Sequence, residues 1–260
     1  MEYSLINEDF GIDRIITDNR KARFDILDDY DPINVLTKFN IDSATLARVM
    51  PVEVRIREEY LNRQIVLTVE YEGALYDTVS AAGFSRTMIA DQTVGLIGEE
   101  GIYLSPAAVF YPYFGEYLVK FSVTARTPYD YKIVTDGALI DSEQKGKYNL
   151  SRWVAENPSD GLYISGAEWI IVREKIGDID IYGNFFPEDS ALAEQYVSAA
   201  ADYIRMYEEL IGPYAHPKFA VVENFFSTGY GMPSWTLLGQ QVVRLPWIVK
   251  TSLGHEVCHN

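Results

Sequence analysis

His255-Glu256-Val257-Cys258-His259 is the stretch of this chain whose residue types and spacing specify chemistry. On a helix, residues four apart lie on one face, so the imidazoles of His255 and His259 can reach a single metal ion. Glu256 stands beside them, where its carboxylate can take a proton from a water that the metal holds. The chain has three histidines and the pattern uses two of them, a coincidence of roughly well under one per cent at this composition. The chemistry so encoded is zinc-assisted hydrolysis. The bland alternative is a pair of ordinary helix histidines sharing no ligand.

Catalytic zinc takes three protein ligands and a water, and one helical turn supplies two of the three. The sequence stops at Asn260, so the third ligand is expected outside these 260 residues. His216 precedes Pro217 in what reads as a helix-to-strand connection, and is expected to be a surface loop residue and not that ligand. Cys258 reads as a small packed residue, neither ligand nor nucleophile. Two imidazoles on a terminal turn predict weak, reversible zinc binding and no hydrolytic activity in the isolated chain, as expected of a piece of a longer hydrolase.

The elements that must position this turn follow from periodicity. Val52, Val54 and Ile56 alternate with charged residues, and beyond Asn62-Arg63 the residues Ile65, Leu67, Val69 and Tyr71 share a face, which predicts a hairpin with one wet side. Tyr117 to Thr124 alternates likewise, and Tyr131 to Thr135 runs into the turn pair Asp136-Gly137. The aromatic run from Val109 to Phe114 is read as packing between sheets. After strands near Ile170 to Ile181, Pro187 opens a long helix whose apolar stripe is Leu192, Tyr196, Ala199, Tyr203, Met206 and Leu210, closed by Gly212-Pro213. Lys218 to Phe226 reads as a buried strand, Ser227 to Pro233 as a glycine-rich loop, and Trp235 to Leu238 as a short edge strand. Pro246 is expected to open the last helix, with Ile248, Ser252, His255 and His259 on one face and Val249, Leu253 and Val257 on another.

A chain of 260 residues exceeds the usual single core, so two domains are expected, 1–174 and 175–260. Nineteen tyrosines and twelve phenylalanines tilt the expectation toward β structure. A formal charge of -16 without a basic cluster speaks against nucleic-acid partners. A single cysteine excludes an internal disulfide and leaves the compartment open. No apolar run approaches the roughly 18 to 20 residues that span a bilayer, and Met1-Glu2-Tyr3-Ser4 opens no signal pattern. The chain as given is therefore expected to be soluble, with its localisation undetermined. Asn149-Leu150-Ser151 fits a glycosylation acceptor, which would matter only in a secretory context.

The order of pieces, strands, an amphipathic helix ending Ile211-Gly212-Pro213-Tyr214, a strand, Gly229-Tyr230-Gly231-Met232, a short strand and His-Glu-x-x-His, resembles the aminopeptidase-N and leukotriene-hydrolase family of zinc peptidases, of gluzincin type. The resemblance is best from Gly101 onward. It implies an α+β fold: an N-terminal all-β saddle or sandwich, then the beginning of a thermolysin-like catalytic domain. It also implies one Zn2+ held by His255 and His259, Glu256 as general base, Gly229, Gly231 and Met232 as a substrate loop, and a peptide substrate. The family's loop reads Gly-x-Met-Glu-Asn, and here Pro233 stands where its glutamate grips a free amino terminus. A proline cannot pair with an ammonium group. Two competing functions follow: a catalytically silent scaffold of peptidase architecture, and a carbohydrate- or protein-binding sandwich using Trp153 and Trp169.

Overall fold

The alternation of apolar and polar residues in the first two thirds of the chain is realised as short strands that each bury one face. The computed structural model describes residues 2–60, 63–79 and 93–260. In the N-terminal part the strands are β1 (Glu2–Asn7), β2 (Phe10–Thr17), β3 (Arg20–Lys21), β4 (Arg23–Ile26), β5 (Val49–Arg55), β6 (Leu67–Gly73), β7 (Gly95–Ile97), β8 (Ile102–Leu104), β9 (Val119–Pro128), β10 (Lys132–Thr135), β11 (Ala138–Lys145), β12 (Tyr148–Ser159) and β13 (Ile164–Ala167). Two short helices, α1 (Pro32–Phe39) and α2 (Ser43–Leu46), lie between β4 and β5, and each starts on an aspartate cap, Asp31 and Asp42. The C-terminal part holds β14 (Ile170–Ile176), β15 (Ile179–Phe185), α3 (Ser190–Leu210), β16 (Lys218–Asn224), β17 (Gly229–Met232), β18 (Trp235–Gly239), α4 (Gln240–Val243) and α5 (Ser252–Cys258).

The fold is α+β and mostly β. Small sheets ordered β1-β5-β4, β3-β2-β6 and β10-β13-β8-β7 turn their apolar faces onto one core of Ile6, Ile15, Val52, Val54, Leu75 and Leu104. A separate sheet, β11-β12-β9, carries the long antiparallel pairing of β12 with both neighbours. The expected hairpin of Val52–Ile56 with Ile65–Tyr71 does not form. β5 pairs with β1 and β4, whereas β6 pairs with β2, so the two stretches face each other across a core instead of along an edge. Asn62, read as part of their turn, lies outside the described residues.

The five-stranded sheet β14-β15-β16-β18-β17 organises the rest. All seven residues of β16 are buried, because α3 covers one face of the sheet and the N-terminal sheets cover the other. Ala193, Tyr196, Val197, Ala200, Ala201 and Ile204 are the buried residues of α3. The sequence placed the stripe off centre: Met206 is 40% and Leu210 73% exposed. Small residues sit at the centre because the helix lies close to the strands, so close that a Cβ on Gly183 would meet Val197 Cγ2 at 2.8 Å. Three further corrections concern the end of the chain. Gly229–Met232 is a strand, β17, paired with β18, and it is this strand that forms the edge. Trp235–Gly239 is an inner strand, parallel to β16. Pro246 leads only into a 3-10 turn at Ile248–Lys250, and the last helix begins at Ser252. No helix among the described residues is long and apolar enough to cross a membrane.

Candidate metal centre

Helix α5 is short, and tertiary packing holds it. Val249, Leu253 and Val257, at steps of four, are buried in the same core as Tyr196 and Ile204 of α3. Gly254 lets the two helices meet, since a Cβ there would lie 2.8 Å from the Tyr203 ring. Tyr207 adds a hydrogen bond from its hydroxyl to the Gly254 carbonyl at 3.1 Å. With that face fixed, the rest of the turn is turned outward: His255 and His259 are exposed and Glu256 is half-buried.

The two imidazoles converge. Their Nε2 atoms lie 2.9 Å apart, with ring planes at 89°. Two nitrogens on one tetrahedral zinc, each at about 2.0 to 2.1 Å, stand about 3.3 Å from one another. A rotation of either ring by a few tenths of an ångström at its tip therefore admits the ion, so the pair fits two of its coordination positions. Among the described residues no group of three His, Cys, Asp or Glu could hold a metal. Cys258 is exposed on α5 and not packed as expected, because its position falls between the buried Leu253–Val257 seam and the histidine face.

A cleft of about 940 Å³ opens over this face. Its walls are His255, Glu256, His259 and Asn260 from α5, Gly229, Gly231, Met232 and Pro233 from the β17–β18 hairpin, the Asp136–Gly137 turn, the end of β12, and Ala215 to Pro217. The hairpin approaches α5 so closely that a Cβ on Gly231 would sit 2.9 Å from Glu256 Oε2. The sequence-derived site residues thus line one cavity. His216 also lines it, half-buried against Tyr214 at 5.7 Å between ring centroids, and burial lowers its pKa. It belongs to the cleft wall, but is not grouped with the α5 histidines as a metal cluster.

Under the cleft lies a polar assembly that the sequence did not announce. Lys218 is 1% exposed and its Nζ donates to Ser234 Oγ at 2.6 Å and Ser234 O at 3.3 Å. Asp136 is 2% exposed, accepts from Trp235 Nε1 at 2.6 Å through one oxygen, and leaves its other oxygen without a hydrogen-bond partner. Burial drives both groups toward neutrality: the Lys218 ammonium is pulled down to about 7 and the Asp136 carboxyl pushed up to about 6, with each favouring the other's charge. Ser234 has a positive φ of 74° and donates its backbone N–H to Asn260 Oδ1. Lysine at the head of an apolar run was the available signal, and it pointed only to a strand end.

The other candidate sites lose their geometry. Trp153 and Trp169 are 4% and 1% exposed, too deep to serve as a stacking platform. Trp169 donates instead to the Glu223 carbonyl at 2.9 Å. Asn149 is buried with its amide on Tyr131 O at 3.2 Å, so it is closed to glycosylation in the folded chain. The 109–114 run packs only in part: Val109 is buried and Leu5 and Tyr113 exchange backbone hydrogen bonds at 2.9 and 2.8 Å, but Phe114 is 43% exposed.

No family model and no curated protein matches the chain. Solved structures do. The native yeast LTA4 hydrolase superposes with a TM-score of 0.65 at 15% identity, covering 98% of this chain and 38% of its own. A mutant M1 zinc metallopeptidase from Deinococcus radiodurans gives 0.62 at 13% identity, covering 100% and 56%. The two-domain M1 zinc metallopeptidase mutant bound to L-arginine gives 0.59 at 12%, covering 98% and 56%. At these identities the likeness is one of fold. The chain spans between 38% and 56% of the length of these structures.

Proposed function

We propose that the chain is the N-terminal β domain and the first part of the catalytic domain of a zinc-dependent, aminopeptidase-like metallopeptidase that hydrolyses peptide bonds. The observation that carries it is the convergence of two Nε2 atoms at 2.9 Å, beside a carboxylate, on the wall of a cleft large enough for a peptide segment. The fold of LTA4 hydrolase and M1 metallopeptidases supports it. The domain boundary near residue 174 and the third ligand from a segment outside these residues belong to the same proposal.

His255 and His259 would hold the ion. Held there, zinc would supply Lewis-acid chemistry, making a water more acidic and a peptide carbonyl more electrophilic. Glu256 accepts the water's proton and delivers it to the leaving nitrogen, a shuttle for which its half-buried position at the cleft wall is suited. Gly229, Gly231 and Met232 offer the backbone of an edge strand to the extended substrate, and the absence of a Cβ at Gly231 leaves room for Glu256.

Pro233 on the cleft wall favours a second function, a scaffold that keeps the architecture without turnover. Metal analysis of the complete protein purified with zinc separates the two. One zinc per chain, with cleavage of a fluorogenic peptide that is lost in Glu256→Ala, is expected of the enzyme. Absence of zinc refutes it and leaves the scaffold. The isolated 260 residues are expected to bind zinc weakly and to cleave nothing.

A further inference from the structure

We propose that Asn260 and Ser234 form a clasp that sets the last turn of α5 against the β17–β18 hairpin, making Asn260 a positioning residue for the metal-binding face. It rests on the zinc reading above for its consequence, but on hydrogen bonds alone for its existence.

The Asn260 side chain uses both ends. Its Oδ1 accepts the backbone N–H of Ser234, and its Nδ2 donates to the Glu256 carbonyl at 3.0 Å. One amide therefore ties the hairpin turn to the helix carbonyl of the residue flanked by both histidines. An amide is the group that can do this, because one contact needs an acceptor and the other a donor.

The other half of the clasp is held from beneath. Ser234 presents its N–H to Asn260 only because its backbone is left-handed, with φ at 74°, a conformation that costs a non-glycine residue of order 1 kcal/mol or more. Four hydrogen bonds fix it there: Lys218 Nζ on its hydroxyl and carbonyl, Gly137 N on its hydroxyl at 3.2 Å, and Ala220 N on its carbonyl at 3.1 Å. Without the clasp, α5 keeps its contact with α3 through Leu253 and Val257 but loses its tie to the hairpin. The distance between Glu256 and Gly231 is then free to drift. Outer groups that orient metal ligands are worth about 10 to 100-fold in metal affinity when removed.

The test compares wild type, Asn260→Ala, Asn260→Asp and Ser234→Gly, each with residues following 260 restored if the complete protein is used. Zinc affinity is read by competition with a chelator, amide hydrogen exchange is read without metal, and melting is followed alongside. Asn260→Ala is expected to weaken zinc binding about tenfold, to expose the Ser234 and His259 amides, and to leave the melting temperature nearly unchanged. Asn260→Asp keeps the acceptor and loses the donor, so it should protect the Ser234 amide while still weakening zinc. Ser234→Gly keeps the left-handed backbone and its N–H, so it should bind zinc closer to wild type than Asn260→Ala does. If wild type binds zinc and Asn260→Ala binds it equally well, the clasp has no positioning role. If wild type binds none, the zinc reading fails on its own; the clasp then stands on an exposed Ser234 amide in Asn260→Ala and falls if that amide stays protected.

Discussion

Replacing Lys218 by methionine tests whether the polar assembly under the cleft holds through charge or merely fills space. Methionine matches the lysine stem in length and has no ammonium. Two hydrogen bonds from a charged donor to Ser234 disappear, each worth about 1.5 to 3 kcal/mol. Neither oxygen is orphaned, because Ala220 N still serves the carbonyl and Gly137 N the hydroxyl. The variant also escapes the desolvation of a cation that is 1% exposed, which offsets much of the loss. The net cost expected at neutral pH is about 2 kcal/mol. Asp136→Asn keeps an acceptor for Trp235 but leaves Lys218 without a counter-charge, and in the double variant neither charge remains to be compensated. The two costs should therefore fall short of additivity by about 1 kcal/mol or more. Denaturant titration followed by tryptophan fluorescence is the assay, because Trp235 donates to Asp136 and the Trp153 ring lies 5.7 Å from the Lys218 ammonium. The pH dependence gives a second reading. Unfolded lysine holds its proton to 10.5, whereas the buried one releases it near 7. Between those values the unfolded state binds more protons, so the wild type should gain stability relative to Lys218→Met as pH rises from about 7 toward 10.5. Strict additivity in the cycle together with a flat pH difference would show that Lys218 is only a spacer.

Gly137→Ala should destabilise the chain by about 2 kcal/mol or more, since φ is 78° and the new Cβ would lie 2.0 Å from the Val154 carbonyl; a variant that melts with wild type contradicts the turn. Gly231→Ala should leave melting nearly unchanged but push the Glu256 carboxylate aside, lowering peptide cleavage by the complete protein about tenfold; unaltered cleavage would mean the close approach is idle. Glu223 is fully buried and raised from 4.5 to about 8, chiefly by burial and then by the neighbouring Asp189 carboxylate. The folded state keeps a proton the unfolded state has lost, so wild type should lose stability relative to Glu223→Gln as pH climbs from about 4.5 through 8, and parallel curves would refute this.

What the sequence showed and hid divides along physical lines. The meeting of His255 and His259 on one face was legible because a spacing of four on a helix is a local fact. So was β16, because a strand covered on both faces has no polar alternation to confuse it. The helix α3 was legible as a helix, but its buried centre was not: close packing on Gly183 put alanines there, and the bulkier Leu192 and Tyr203 went to the flanks. The false hairpin joined two strands whose partners, β1 and β2, come from the start of the chain, and alternation names a face without naming a neighbour. Ser234, Asn260, Asp136 and Lys218 were invisible as a group, since four separate segments must fold before their atoms meet.

Several hydrogen bonds join residues about a hundred positions apart. Asn7 donates to Ala108 O at a separation of 101, and Trp235 meets Asp136 at 99. Closing such loops spends chain entropy before contacts repay it, which makes for slow folding. On the ribosome the first strand can find β5 early, but its tie to Val109 and Tyr113 must wait until that stretch has left the tunnel. The turn at Asp136 waits longer still, exposed until Trp235 arrives. A nascent chain halted between these two events would present that unfinished edge to chaperones, so the order of synthesis and the order of completion differ by construction.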